Sequence, residues 1–299
     1  RGVRVMMAQV VEAGNVVREP FARALLELGK KDSRVVVLDA DLARATCTEE
    51  FKAEFPTRYF DVGIAEQNMV GIAAGLALSG KVPFAATFAV FITKRVLDQV
   101  SVSIAYPSLN VKLIGFEPGL ISGRNGASHQ AVEDLAIMRA VPNMTVIDPC
   151  DATEIEQAMM AIAEYEGPVY MRMLRREVPV VLDPGAYRFK LGRGVHLLEG
   201  GDVTIVSTGT MTPKALKAAD NLKSKGISAG VLHMPTIKPF DKEALLEVAS
   251  RTGAIVTAES HSIIGGLGGA VAEALVEEFP IPVVRVGIRD VFGETGSDA

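Results

Sequence analysis

The chain has 299 residues, a formal net charge of -5 and 48% hydrophobic residues, so it can bury one large core or two medium ones. Its mild charge, without a basic stripe, argues against a nucleic-acid partner. No apolar run reaches the ~18 residues of a membrane-spanning helix. The two cysteines, Cys47 and Cys150, lack metal-ligand spacing, and the first residues lack a tripartite secretion signal. We therefore expect a cytoplasmic protein that acts away from membranes.

Short β-branched runs alternate with helical patterns over the first part of the chain. Strands that are apolar throughout and separated by helices predict a parallel sheet covered on both faces. The predicted strands are Arg34–Leu38, Val82–Thr87, Val111–Phe116, Met144–Ile147 and Val169–Arg172, and the predicted helices cover 17–29, 65–79, 92–105, 130–140 and 152–165.

The alternation stops between Arg175 and Arg193, where prolines and glycines without a helical period indicate a linker. We therefore predict an α/β protein of two domains, 1–178 and 195–299, joined by a linker at 179–194. In the second domain the predicted strands are Val203–Ser207, Ile227–Leu232, Ala254–Ala258 and Val283–Val286, and the predicted helices cover 212–225, 241–250 and 267–278.

Two glycine-rich segments have different interpretations. Gly265–Gly269 follows a strand and opens a helix, but Val271 stands where a dinucleotide fingerprint needs its third glycine. We expect this segment to serve close helix packing. Gly123–His129 follows the strand that ends at Phe116, at the sheet edge where α/β proteins place their sites. It is the better candidate for a functional loop.

One acidic residue, Glu66, opens an apolar helix directly after Phe60–Ala65. Burying a carboxylate is costly unless a charged or hydrogen-bonding group meets it. A glutamate at a helix start can also be stabilised by the helix dipole alone, and that alternative stays open at this point.

Motifs along nearly the whole chain fall in the order of one family. They are Phe-Asp-Val-Gly-Ile-Ala-Glu-Gln at 60–67, Thr-Phe-x-x-Phe at 87–91, Asn-Gly-Ala-Ser-His-Gln at 125–130, Val-Pro-Asn-Met-Thr-Val-Ile-Asp-Pro at 141–149, Met-Pro-Thr-Ile-Lys-Pro-Phe-Asp at 234–241, Glu-Ser-His-Ser-Ile-Ile-Gly-Gly-Leu-Gly at 259–268 and Phe-Gly-Glu-Thr-Gly at 292–296. The chain resembles the C-terminal half of a transketolase, in the form that is split between two polypeptides. This implies a pyrimidine-binding thiamine diphosphate domain followed by a transketolase C-terminal domain.

The resemblance implies transfer of a two-carbon ketol unit from a ketose to an aldose acceptor, with thiamine diphosphate as cofactor. Glu66 matches the glutamate that bonds the aminopyrimidine, and Ile64 precedes it in the same motif. Phe88 and Phe91 match the aromatic pair that lines the pyrimidine pocket. Their three-residue spacing predicts that both rings lie on one helical face, although such a pair is more often part of a core.

The resemblance also assigns substrate contacts. His129 matches a histidine that bonds substrate hydroxyls, and imidazole can move protons near neutral pH. Arg175 matches an arginine that holds the substrate phosphate, and Arg18 is the candidate for a second, because guanidinium forks suit phosphate geometry. The alternative for both arginines is ordinary surface solvation.

Departures from the family pattern concern the substrate. Asn125 stands where an aspartate is usual, Glu117 where many members have a histidine, and Lys94 where a tyrosine is common. An asparagine donates as well as accepts, and a mismatched buried polar group is costly. We expect these residues to line the substrate funnel, and a modified sugar or another acceptor stays open beside the pentose phosphates.

The chain contains no Gly-Asp-Gly, the segment that holds Mg²⁺ and the cofactor diphosphate in this family. We therefore expect no metal ligands in this chain and an N-terminal transketolase subunit as partner. A symmetric α₂β₂ assembly is the expected form.

Three alternatives stay open. The first is a relative that decarboxylates a 2-oxo acid, such as a dehydrogenase β subunit or a deoxyxylulose-phosphate synthase; the 87–91 spacing and Thr236–Pro239 favour transketolase. The second is a non-catalytic subunit, which the retention of Glu66 and both phenylalanines disfavours. The third is an NAD-binding enzyme, disfavoured by the glycine spacing at 265–269.

Overall fold

A computed structural model describes residues 11–16, 18–175 and 177–296. The first elements are β1 (Val11–Val16), α1 (Arg18–Lys31), β2 (Val35–Asp39), α2 (Glu49–Glu54), β3 (Tyr59–Asp61), α3 (Glu66–Leu78), β4 (Val82–Phe88), α4 (Ala89–Thr93), α5 (Leu97–Gln99), β5 (Lys112–Phe116), α6 (Asp134–Ala140), β6 (Thr145–Ile147), α7 (Ala152–Glu164), β7 (Val169–Met173) and β8 (Glu177–Val180). Then follow β9 (Val195–Leu198), β10 (Val203–Ser207), α8 (Met211–Lys223), β11 (Ala229–His233), β12 (Thr236–Lys238), α9 (Lys242–Thr252), β13 (Ile255–Ser262), α10 (Leu267–Glu278) and β14 (Val283–Ile288).

The first large sheet has seven strands in the order β12-β6-β7-β5-β4-β2-β3. All neighbours pair in parallel except β12 with β6. Every residue of β2, β4, β5 and β7 is buried, as expected for strands with helices on both faces. The edge strand β12 arrives from the second domain and ties it to the first.

The second large sheet has five strands in the order β14-β13-β10-β11-β9, parallel except for β9. One apolar cluster runs through both domains, since Leu38 and Val146 belong to it together with Val206 and Leu245. The two mostly parallel sheets confirm the predicted two-domain α/β fold. Its division into 1–178, 179–194 and 195–299 stays our proposal.

The predicted helix at 92–105 is wrong as a single element. The chain instead forms α4, then α5, then a π-helical turn at Val100–Ala105. Crowded β-branched residues weaken a continuous helix here. The buried side chains of this stretch still recur every four residues, because Ile92, Val96 and Val100 are each 0% exposed.

The segment predicted as a linker, 179–194, packs partly against the core. It starts within β8, which pairs antiparallel with β1, and then buries Val181, Leu182 and Tyr187. Its prolines and glycines pointed to a loop, whereas burial here depends on contacts distant in sequence.

None of the helices in the described ranges has the length and apolar character that crossing a bilayer requires.

Candidate functional site

Glu66 lies in the first turn of α3 and is 3% exposed. The chain reaches it through Gly63, whose φ of 72° favours glycine. The Asp61 carboxylate fixes this turn by accepting hydrogen bonds from the Gly63 amide (3.0 Å) and the Asp41 amide (3.1 Å). Glu66 therefore stands at the carboxyl edge of the first sheet, where parallel sheets place their sites.

Three rings gather close to this edge. Phe88 ends β4, whereas Phe91 lies in α4, so the predicted common helical face is wrong. The strand-to-helix turn nevertheless brings their ring centroids to 5.9 Å. The His129 ring meets both edge-on, at 6.0 Å from Phe88 and 5.3 Å from Phe91. The three side chains form an aromatic wall with one titratable member.

The loop that carries His129 (residues 123–129, the histidine loop) is held by its own turns and by the chain's last described residues. Gly126 has a φ of 71°, and its carbonyl accepts from the His129 amide at 3.0 Å. The Ser128 hydroxyl bonds His129 Nδ1 at 2.9 Å. Gln130 Nε2 donates to the Glu294 carbonyl at 3.1 Å. The motif at 292–296 therefore docks against the histidine loop, a role that its sequence did not reveal.

A cleft of about 480 Å³ opens beside the aromatic wall. It is lined by Val90, Phe91, Lys94, Arg95, Ala127, Ser128 and Phe292. A larger groove of about 1520 Å³ lies between the two domains. None of the predicted site residues with described side chains lines that groove, so the smaller cleft is the candidate site.

The predicted substrate residues divide into two groups. Arg175 and Glu117 lie at the aromatic wall: Arg175 Nε is 3.2 Å from Glu117 Oε1, and its guanidinium carbon is 5.8 Å from the Phe88 ring centre. Lys94 lines the cleft and forms an ion pair with the carboxylate of Glu133.

The remaining predicted residues lie further out or outside the described side chains. Asn125 is exposed on the histidine loop, where its backbone N–H donates to the Ser122 carbonyl at 3.0 Å. Ile64 is 77% exposed. Arg18 begins α1, but its side chain lies outside the described part of the structure.

Arg95 was missed by the sequence interpretation. Its Nη1 lies 3.2 Å and 3.1 Å from the two carboxylate oxygens of Glu66. Its guanidinium carbon also sits 4.0 Å from the centre of the Phe91 ring. The available signal was its position four residues after Phe91, about one helical turn along the chain.

The glycine-rich segment that opens α10 binds a carboxylate of the same chain. Glu259 accepts from the Leu267 amide (2.7 Å) and the Gly268 amide (2.8 Å). Burial raises the pKa of Glu259 to about 7. A Cβ at Gly266 would lie 2.1 Å from Glu259 Oε2. The helix start is therefore already occupied, which disfavours a dinucleotide site there.

One cluster among the described residues resembles a metal site: Cys150, Glu154 and His233 place ligand-type atoms within 4.8 Å. Hydrogen bonds already engage both oxygens of Glu154. One accepts from the Tyr187 hydroxyl at 2.5 Å, and the other bonds the Cys150 amide and His233 Nε2, each at 2.8 Å. The cluster therefore acts as a buried polar link between α7 and β11.

Comparisons with known proteins agree with this architecture. The family described as "Transketolase, pyrimidine binding domain" matches residues 15–181. The family described as "Transketolase, C-terminal domain" matches residues 192–299. The first match contains the strands of the seven-stranded sheet except β12, and the second contains the five-stranded sheet.

Individual relatives are described as transketolase subunits or as a split gene transketolase. The 6-deoxy-6-sulfo-D-fructose transketolase subunit of Clostridium sp. (strain MSTE9) is 50% identical, over 94% of this chain and 87% of its own. An apulose-4-phosphate transketolase subunit of Phocaeicola vulgatus is 41% identical, over 93% and 89%. A solved structure described as a split gene transketolase, inactive β4 tetramer, is 54% identical with a TM-score of 0.87, over 94% and 92%. The chain thus belongs to the transketolase family, as a subunit that carries the pyrimidine-binding and C-terminal domains of a split enzyme.

Proposed function

We propose that this chain forms the pyrimidine half of a thiamine-diphosphate site and takes part in transfer of a two-carbon ketol unit from a ketose to an aldose. The observation that carries the proposal is the buried Glu66 carboxylate, which Arg95 links to Phe91 of the aromatic wall. A buried acceptor next to flat rings fits a heteroaromatic ring with N–H groups at its edge. The residues present therefore fit the cofactor's pyrimidine.

Each side chain has a separate role in this proposal. Thiamine diphosphate, when bound, supplies the carbanion chemistry that side chains lack. Glu66 holds the pyrimidine by a hydrogen bond, and Phe88 and Phe91 pack on the ring. Because Nδ1 of His129 bonds the Ser128 hydroxyl, we assign Nε2 to the substrate, where it bonds a hydroxyl and moves its proton.

The donor that we propose is a ketose with an anionic group remote from its carbonyl. The relatives named above act on a sulfo-sugar and a sugar phosphate, which share such a group. Arg175 lies beside the aromatic wall and can present its guanidinium to either anion. Glu117 orients Arg175 through their 3.2 Å ion pair.

The diphosphate half of the site is proposed to come from an N-terminal transketolase subunit in an α₂β₂ assembly. This chain has no Gly-Asp-Gly with which to hold Mg²⁺ and the diphosphate. A relative that consists of β chains alone is described as inactive, which supports the need for a partner.

The proposal is tested with the chain co-expressed with the N-terminal subunit. We expect transfer of a two-carbon unit from a phosphorylated or sulfonated ketose to an aldose, and loss of transfer in Glu66→Gln. Glu156→Gln, on the surface near Arg23, is the matched control. Turnover of pyruvate in place of ketoses would favour a 2-oxo-acid decarboxylase. Full transfer activity in Glu66→Gln would contradict the proposal.

A further inference from the structure

Arg95 occupies both positions that the proposed function gives to the cofactor's pyrimidine ring. It bonds the two oxygens of Glu66 at 3.2 Å and 3.1 Å, and it stacks 4.0 Å from the Phe91 ring centre. A guanidinium is planar, carries N–H groups along its edge and packs on aromatic faces. An aminopyrimidine would use the same carboxylate and the same ring face.

The two partners of this ion pair differ in their freedom to move. Glu66 is 3% exposed, whereas the Arg95 side chain is 45% exposed. The carboxylate is fixed in the first turn of α3, and leaving it buried without a partner would be costly. Arg95 can turn toward solvent while its backbone stays in place, since its carbonyl accepts from Gln67 Nε2 at 2.9 Å.

We propose that Arg95 is an internal stand-in for the pyrimidine: it neutralises Glu66 in the free subunit and is displaced when the cofactor binds. The inference rests on the proposed function. Arg95 thereby competes with the cofactor and stabilises the site before assembly. If Arg95 fills the ring site for about nine-tenths of the time, the apparent dissociation constant is about tenfold above the intrinsic one.

The first test measures thiamine diphosphate affinity in the assembled enzyme by calorimetry. Arg95→Ala is expected to bind the cofactor about tenfold more tightly than the wild type. Arg23→Ala removes an exposed arginine that pairs with Glu156 and should leave affinity unchanged. Equal or weaker binding by Arg95→Ala would overturn the inference alone. No binding by the wild-type assembly would instead contradict the proposed function.

A second test needs neither cofactor nor partner. Arg95→Ala leaves a guanidinium-shaped gap above Glu66, so guanidinium chloride at low millimolar concentration should raise the melting temperature of this variant. The wild type and the double variant Arg95→Ala/Glu66→Gln should show no such rise. An equal response of all three proteins, or a lack of response in Arg95→Ala, would show that the arginine does not occupy this site.

Discussion

Arg172 of β7 and Asp134 of α6 form a buried ion pair, with Nη2 and Oδ1 2.5 Å apart and side chains 2% and 0% exposed. Arg172 Nε also donates to Asp134 Oδ2 at 2.7 Å. Arg172 Nη1 reaches Asp148 Oδ2 and the Ser260 carbonyl, each at 3.3 Å, and thereby links the two domains. Burial alone would raise the pKa of Asp134, but the charge of Arg172 lowers it below its usual value.

Removing this arginine should destabilise the protein strongly. Arg172→Met leaves Asp134 buried without its cation, and the expected loss is about 3–5 kcal/mol in the free energy of unfolding. The double variant Arg172→Met/Asp134→Asn should recover part of that loss, because Asp134 no longer carries a lone charge, although Asp148 still lacks its cation. Urea denaturation measures both, with Arg23→Met as the exposed control. A loss no greater than that of the control would contradict the role assigned to the pair.

The buried Lys112 should make the free energy of unfolding depend on pH. Its ammonium group is buried and donates to the carbonyls of Tyr165 (2.7 Å) and Gly167 (2.9 Å). Burial lowers the pKa of Lys112 from 10.5 to about 7. Between these values the unfolded chain binds a proton that the folded chain lacks, so this group makes stability rise with pH across that window.

The matching experiment compares the wild type with Lys112→Met by urea denaturation between about pH 7 and about pH 9. The wild type should gain up to about 1.4 kcal/mol per pH unit relative to the variant. Parallel curves for the two proteins would show that Lys112 keeps an ordinary pKa in the folded chain.

His129→Ala should separate chemistry from cofactor binding. We expect kcat/KM for ketol transfer to fall about 10²–10⁴-fold, the usual range for loss of a proton-transferring side chain. The dissociation constant of thiamine diphosphate should change little, because Glu66 and the two phenylalanines remain. Steady-state kinetics and calorimetry on the assembled enzyme measure the two quantities. A parallel loss of cofactor affinity would assign His129 to the cofactor instead.

Asn125→Asp should change the preference among donor ketoses more than cofactor affinity. Asn125 is exposed on the histidine loop, where an aspartate could accept but no longer donate a hydrogen bond. The ratio of kcat/KM for two ketose donors is the relevant measurement, with Asn125→Gln as a control that keeps the amide. Unchanged donor ratios in the aspartate variant would remove Asn125 from the specificity residues.

Long apolar strands and the position of Glu66 were predictable from the sequence. The central strands β2, β4, β5 and β7 are apolar because both faces are covered, and that pattern is local. The three-residue strands β3 and β12 were not predicted, since so short a segment owes its conformation to distant neighbours. For β12 that neighbour is β6, in the other domain.

The sequence named several residues that the structure brings together, but it did not predict their contacts. The motif at 87–91 identified Phe88 and Phe91. The two side chains do not share the expected helical face, because β4 ends at Phe88 and Phe91 lies in α4. Lys94 was singled out, whereas its neighbour Arg95 bonds Glu66. Which of these two adjacent cations contacts Glu66 depends on the direction of each side chain after the end of α4. The end of the helix at this point was not predicted.

The most direct test of a shared thiamine site is a calorimetric titration of thiamine diphosphate and Mg²⁺ into this chain alone and into its assembly with the N-terminal subunit. We predict saturable binding by the assembly, weaker binding by an assembly that carries Glu66→Ala, and no saturable binding by the chain alone. Equal binding by the wild-type and Glu66→Ala assemblies would contradict the account.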